Sequence, residues 1–114
     1  MNIDCHIHIS LEGTGGAQKT KEEITRNITR AFREYKKRGI LAVRDGGDNL
    51  GIAQRARDIA CDIGVIYKTP IFSFYKKGCY GGFTGKHVEN TRDFKALFNK
   101  WIEKKPDHMK IIFT

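Results

Sequence analysis

The sequence predicts an α/β fold with parallel strands: four βα units in series, half of a (β/α)8, TIM-type barrel. Three observations lead there. Short apolar runs with strand character recur at 3–9, 40–43, 65–74 and 108–114. Between them lie stretches whose apolar residues repeat at helical spacing. The chain has 114 residues, enough for one domain, whereas a complete barrel needs about 250.

Each element has its own signal. From Ile3 to Ile9 the residues alternate, with Ile3, Cys5, Ile7 and Ile9 expected on one face and Asp4, His6 and His8 on the other. Ser10 to Thr20, with Gly13, Gly15 and Gly16, is expected to be a loop. Thr20 and Glu23 fit a capping box, and Ile24, Ile28, Ala31, Phe32 and Tyr35 then follow a helix that Gly39 ends. Ile40 to Val43 is the second strand, and Arg44 to Asp48 is the loop at its carboxyl end. Asp48 or Asn49 caps a second helix with a stripe of Ile52, Ala53, Ala56, Ile59, Ala60 and Ile63, stopped by Gly64. A third strand lies within 65–74, its start blurred by Pro70, which cannot donate a ladder hydrogen bond. Tyr75 to Val88 is expected to be a long glycine-rich loop. Asn90 or Thr91 caps a third helix with Phe94, Leu97, Phe98, Trp101 and Ile102 on its apolar side, closed by Pro106. The last stretch alternates again, with Met109, Ile111 and Phe113 opposite His108, Lys110 and Ile112. Right-handed crossovers make such a series a parallel sheet.

Composition narrows the function classes. Hydrophobic residues make up 39% and charged residues 30%, as in a globular chain, here a single domain over 1–114. The net charge is +8. The basic residues are dispersed, many of them on the expected outer helices (Arg26, Arg30, Arg33, Lys36, Lys37), so they read as solvated surface. Nucleic acid is not expected, since no RNA- or DNA-binding module is visible. Cys5, Cys61 and Cys79 are odd in number and form no C-x-x-C, which gives neither a disulfide framework nor a zinc knuckle. The expected setting is a reducing cytoplasm. The amino terminus is polar within five residues, and no apolar run approaches the roughly 20 residues of a membrane span. Neither a signal peptide nor a membrane partner is expected.

The strongest chemical signal is Asp4-Cys5-His6-Ile7-His8. Histidines at i and i+2 of a strand project from one face, so both imidazoles can reach one cation. Two unrelated histidines on a polar strand is the plainer alternative. The position of the pair at the start of a βα series favours the cation.

This motif resembles the first strand of the amidohydrolase superfamily of metal-dependent hydrolases. The segment from Gly39 through Arg44-Asp45-Gly46-Gly47 resembles their second strand and its loop. Asp107-His108-Met109-Lys110-Ile111 resembles the fourth-strand segment of the branch related to imidazolonepropionases and metal-dependent prolidases. The resemblance covers nearly the whole chain. It implies a (β/α)8 barrel holding divalent metal, with zinc the expected ion, at the carboxyl ends of its strands, and hydrolysis of an amide or cyclic amide bond in a small molecule. It makes His6 and His8 metal ligands and Lys110 a candidate carboxylated bridge between two cations; an ordinary end-of-strand lysine is the alternative.

The family's further histidines from strands five and six, and its aspartate base from strand eight, have no counterpart here. Nor has the small β-sandwich that precedes many of these barrels. No catalytic residue is assigned, and the isolated monomer is expected to be inactive. Arg44 and Asp45 are candidates for orienting substrate, unless they form only a loop ion pair. The stretch from Gly78 to His87 lacks P-loop spacing. His87 lines a substrate pocket or is simply a loop histidine. A non-catalytic half-barrel that binds or assembles is the alternative function. A polymerase-and-histidinol-phosphatase type phosphoesterase also begins with His-x-His, but the later segments match it poorly. Half a barrel has two bare edges, so a homodimer that closes the barrel is expected.

Overall fold

The structure, a computed structural model, describes residues 1–14 and 18–113. The order is β1 (Asn2–Ile7), α1 (Ile9–Thr14), α2 (Lys21–Lys37), β2 (Ile40–Asp45), α3 (Ile52–Ile63), β3 (Ile66–Lys68), β4 (Ser73–Lys76), β5 (Gly85–Val88), α4 (Thr91–Ile102) and β6 (Ile111–Ile112). All strand pairs are parallel, in the orders β1-β2-β3 and β5-β4-β6. The α/β class, the parallel strands and the half-barrel architecture follow the sequence.

The helices start and stop where side-chain chemistry dictates. Thr20 Oγ1 accepts the Glu23 N–H at 3.2 Å, and the Glu23 carboxylate accepts the Thr20 N–H at 2.8 Å, which completes the capping box of α2. Asp48, rather than Asn49, serves α3. Its buried carboxylate accepts the N–H groups of Leu50 (2.7 Å), Ile52 (3.1 Å) and Ala53 (2.9 Å). Burial nevertheless pushes its pKa above the ordinary carboxylate value, with the charge of Asp45 adding to the rise. Gly64 ends α3 with φ +83°, a conformation that favours glycine. Asn90 caps α4 by accepting the Asp93 N–H at 2.9 Å.

Helices α2 and α3 cover one face of β1-β2-β3. Ile28 and Phe32 of α2 and Ala56 and Ala60 of α3 meet Ile7, Val43 and Tyr67 there. The opposite face is open: Ile3 and Ile66 are 57% and 52% exposed. A second cluster joins Phe72, Phe74 and Trp101, flanked by Phe94, Leu97 and Phe98 of α4. Among the described residues no helix is long and apolar enough to cross a membrane.

Four expectations are corrected. The stretch after the first strand is not a loop at its start, because Ile9–Thr14 forms α1, with Ile9 fully buried; Gly15 and Gly16 lie outside the described residues. The third strand is split into β3 and β4. At the break Phe72 N–H bonds back to Pro70 O at 2.8 Å and Ile71 takes φ +66°, the geometry of a tight γ-turn. Pro70 offers no N–H for a ladder there. The supposed loop 75–88 holds the end of β4 and all of β5, which pairs with β4 in register Ser73↔Gly85 to Lys76↔Val88. Its glycines allow the close approach: a Cβ on Gly85 would overlap Ser73. The last strand is only Ile111–Ile112, and its apolar set (Met109, Ile111, Phe113) is exposed.

Asp107 ties the two sheets together. Its N–H donates to Thr69 O at 2.9 Å, and its carboxylate accepts from Thr69 N (3.0 Å), Lys68 Nζ (3.0 Å) and Arg57 Nη2 (3.3 Å). Partial burial pushes the Asp107 pKa up, but the Thr69 N–H and the two cations outweigh this and leave it below the ordinary value. A depressed carboxyl pKa stabilises the fold above the unfolded-state value, and that contribution is lost as pH falls through the folded-state value. Asp107→Asn is therefore expected to cost about 1–2 kcal/mol near neutral pH. The difference from the wild type should shrink on acidification, as read from urea unfolding at several pH values.

Candidate functional site

The histidine pair owes its aim to an irregular strand. Asp4 pairs with Val43 and Ile7 with Asp45, so β1 takes one residue more than β2 across this interval. Such a bulge changes which side chains share a face. Ile3 lies with Ala42 and Arg44 on the open side, whereas Ile7 and Ile9 are buried in the helix-side core. The uniform alternation expected from Ile3 to Ile9 is thus broken in mid-strand. The Asp4 carboxylate accepts the His6 N–H at 3.1 Å within the bulge.

The two rings then meet. His6 Nε2 and His8 Nε2 are 3.2 Å apart, with ring centroids 5.1 Å apart. His8 Nδ1 donates to Gly47 O at 3.3 Å, which leaves Nε2 as the lone-pair nitrogen. Two imidazole nitrogens bound at about 2.0–2.1 Å to one tetrahedral cation stand about 3.3 Å apart. The pair fits a divalent cation on spacing, and His8 fits it on tautomer as well. No third His, Cys, Asp or Glu joins it among the described residues.

Gly46 and Gly47 form the seat of His8. A Cβ on Gly46 would overlap the ring, with Nε2 only 2.6 Å away. Gly46 N–H donates to Ile7 O at 2.7 Å. Gly47 has φ +81° and directs its N–H to Asp45 Oδ2 at 2.8 Å. Asp45 is 2% exposed. Its Oδ1 accepts the Ile9 N–H at 3.0 Å and its Oδ2 also accepts the Thr69 hydroxyl at 3.1 Å. The carboxylate is thereby committed to the protein on both oxygens.

Lys110 and Arg44 share a hollow of about 270 Å³ with His6, Asp45 and His108. Burial holds the Lys110 amine below the usual lysine range; the Asp45 charge opposes this and the Arg44 guanidinium adds to it. His108 is held low by burial first and by Arg44 second, against Asp107 and Asp45. His87 stands elsewhere. It is exposed on β5, its ring 6.1 Å from that of Tyr75, and it does not line the hollow. Sequence reasoning gave no role to Gly46, Gly47, Thr69 or His108. The Gly-Gly pair directly after the second strand was the available signal for the first two, because backbone must approach closely there.

Neither a family model nor a curated protein matches the chain. Solved structures do. The A. niger ochratoxinase is similar at 12% identity and TM-score 0.73, over 97% of this chain and 33% of that one. A prolidase crystallised with N-methylphosphonate-L-proline is similar at 16% identity and TM-score 0.67, over 96% and 32%. An amidohydrolase gives 16% identity and TM-score 0.68, over 96% and 32%. The structural neighbours are amidohydrolase-family proteins. At such identity the likeness is one of fold, and the chain spans about a third of each.

Arg44 contributes to the low pKa of both Lys110 and His108. Arg44→Met keeps the apolar stem and removes the charge, so both groups should titrate at higher pH than in the wild type. NMR titration of the two side chains checks this, and an unchanged pair of curves contradicts it.

Proposed function

We propose that the chain is the cation-holding part of a metal-dependent amidohydrolase-type barrel that hydrolyses an amide or cyclic amide bond in a small molecule. One observation carries the reading: two Nε2 atoms 3.2 Å apart, one of them oriented by a backbone carbonyl on its far nitrogen. A carbonyl or carboxylate partner on the non-ligating nitrogen is the usual arrangement for a metal-bound histidine. The fold of the neighbours supports the same reading.

His6 and His8 hold the cation, with zinc the best match to nitrogen ligands at this spacing. A divalent ion there supplies Lewis-acid activation of a carbonyl. Lys110, beside His6 and partly desolvated, is the candidate for carboxylation to an anionic bridge. Arg44 projects on the open face, where it can meet an anionic or carbonyl group of the substrate. His87, exposed on β5 beside Tyr75, is left without a role in the hollow of Lys110 and Arg44. Asp45 contributes by holding the loop rather than by touching substrate. Hydrolysis requires further ligands and a base beyond this set, so the isolated single chain is expected to be inactive. Three free cysteines accord with a reducing, cytoplasmic setting.

A second reading concerns assembly. The outer edges of β1 and β6 are unpaired among the described residues, and Ile3, Ile111 and Phe113 are exposed beside them. Two copies of the chain related by a two-fold axis would cover both edges and close the wall.

Native mass spectrometry after zinc loading and buffer exchange tests both readings. The expected result is about one zinc or more per chain, lost in His6→Ala and in His8→Ala. Wild-type protein without zinc contradicts the proposal. A mass of one chain at micromolar concentration contradicts the dimer alone.

A further inference from the structure

Asp45 is built into the candidate site, yet its carboxylate faces away from solvent. Each of its partners fixes a part of the surroundings of His8. Ile9 N–H is the first backbone donor after His8. Gly47 N–H belongs to the residue whose carbonyl receives His8 Nδ1. The Thr69 hydroxyl anchors the far side and in turn accepts the Ile71 N–H at 3.0 Å, within the γ-turn. Gly46, between the two anchored residues, presses its Cα face on the imidazole.

From this geometry we infer that Asp45, acting through the Gly46–Gly47 backbone, is the positioning residue that fixes the tautomer and ring orientation of His8. The inference rests on the cation reading for its consequence but not for its mechanism. The carboxylate holds the peptide that enters Gly47, Ile71 O holds the one that leaves it through Asp48 N–H at 3.0 Å, the Gly47 carbonyl captures Nδ1–H, and Nε2 is left facing His6. His6 differs. It is exposed, and among the described residues its only ring contact through nitrogen is with His8 Nε2. The two ligand candidates are thus unequal: His8 is set in advance, and His6 adjusts to it. A purely structural carboxylate would stabilise the loop without selecting a tautomer.

The test uses the metal-free chain and two readouts. Long-range ¹H–¹⁵N spectra at a pH where the rings are neutral report the tautomer of each histidine. Competition with a zinc indicator reports affinity. In the wild type His8 should be a single Nδ1–H tautomer, with His6 Nε2–H donating to the bare His8 Nε2 in the absence of metal. Asp45→Asn keeps size but loses one acceptor; it should mix the His8 tautomers and weaken zinc binding by about 10–100-fold. Gly46→Ala leaves Asp45 in place and displaces the ring, so it should give the same two changes and guards against misfolding of the first variant. His6→Ala should abolish tight zinc binding and leave the His8 tautomer alone. If both folded Asp45→Asn and Gly46→Ala keep the wild-type tautomer, the inference is wrong. If the wild type binds no zinc yet loses its His8 tautomer in those variants, the positioning stands and the cation reading falls.

Discussion

A buried carboxylate must find donors for its oxygens, and the carboxyl-end face of this molecule is arranged around that requirement at Asp45. Three segments distant in sequence answer it: the start of α1 through Ile9 N–H, the loop after β2 through Gly47 N–H, and the exit of β3 through the Thr69 hydroxyl. Leaving such donors without the carboxylate would cost about 1–3 kcal/mol each. The three segments are therefore held together more firmly than their short strands alone would manage. The same constraint places the Gly47 carbonyl against His8, so stability and site geometry share one origin.

The second constraint is the break in the third strand. Pro70 withholds a donor, Ile71 adopts a conformation rare for a β-branched residue, and the wall divides there into two sheets. Strain of this kind persists only where its surroundings hold it. Here Trp101 Nε1–H binds Pro70 O at 2.6 Å, Asp48 N–H binds Ile71 O at 3.0 Å, and Asp107 grips Thr69 from the other side. The split lets β4 take β5 as a neighbour while β3 keeps β2, and the open face carries Arg44 and Lys68 with Ile3 and His108.

Much of the architecture was legible in the sequence because it rests on local chemistry. Thr20 with Glu23, Gly64 and the Ile52–Ile63 stripe each announce a helix boundary or face without reference to the rest of the chain. The histidine pair was legible for the same reason, since two residues on one strand need no partner to be noticed. What escaped depends on contacts far apart in sequence. The bulge in β1 arises from its register with β2, so simple alternation placed Ile3 and Cys5 on the wrong side. β5 is a strand only because β4 lies beside it; its glycines read as a loop when taken alone. Asp45 looked like a substrate residue from its place at the end of a strand, and only the positions of Ile9 and Thr69 reveal that its oxygens are taken. His108 was seen in the alternation of the last stretch, but nothing local placed it beside Arg44 and Lys110.

The central claim is that His6 and His8 together form the cation-holding face of this half-barrel. The most direct test is a titration of the chain with cobalt(II), following the ring signals of its four histidines by NMR. The account predicts that His6 and His8 shift or broaden together at the lowest cobalt concentrations, with His108 affected less and the exposed His87 last. Equal effects on all four, or an effect on His87 before the pair, would contradict it.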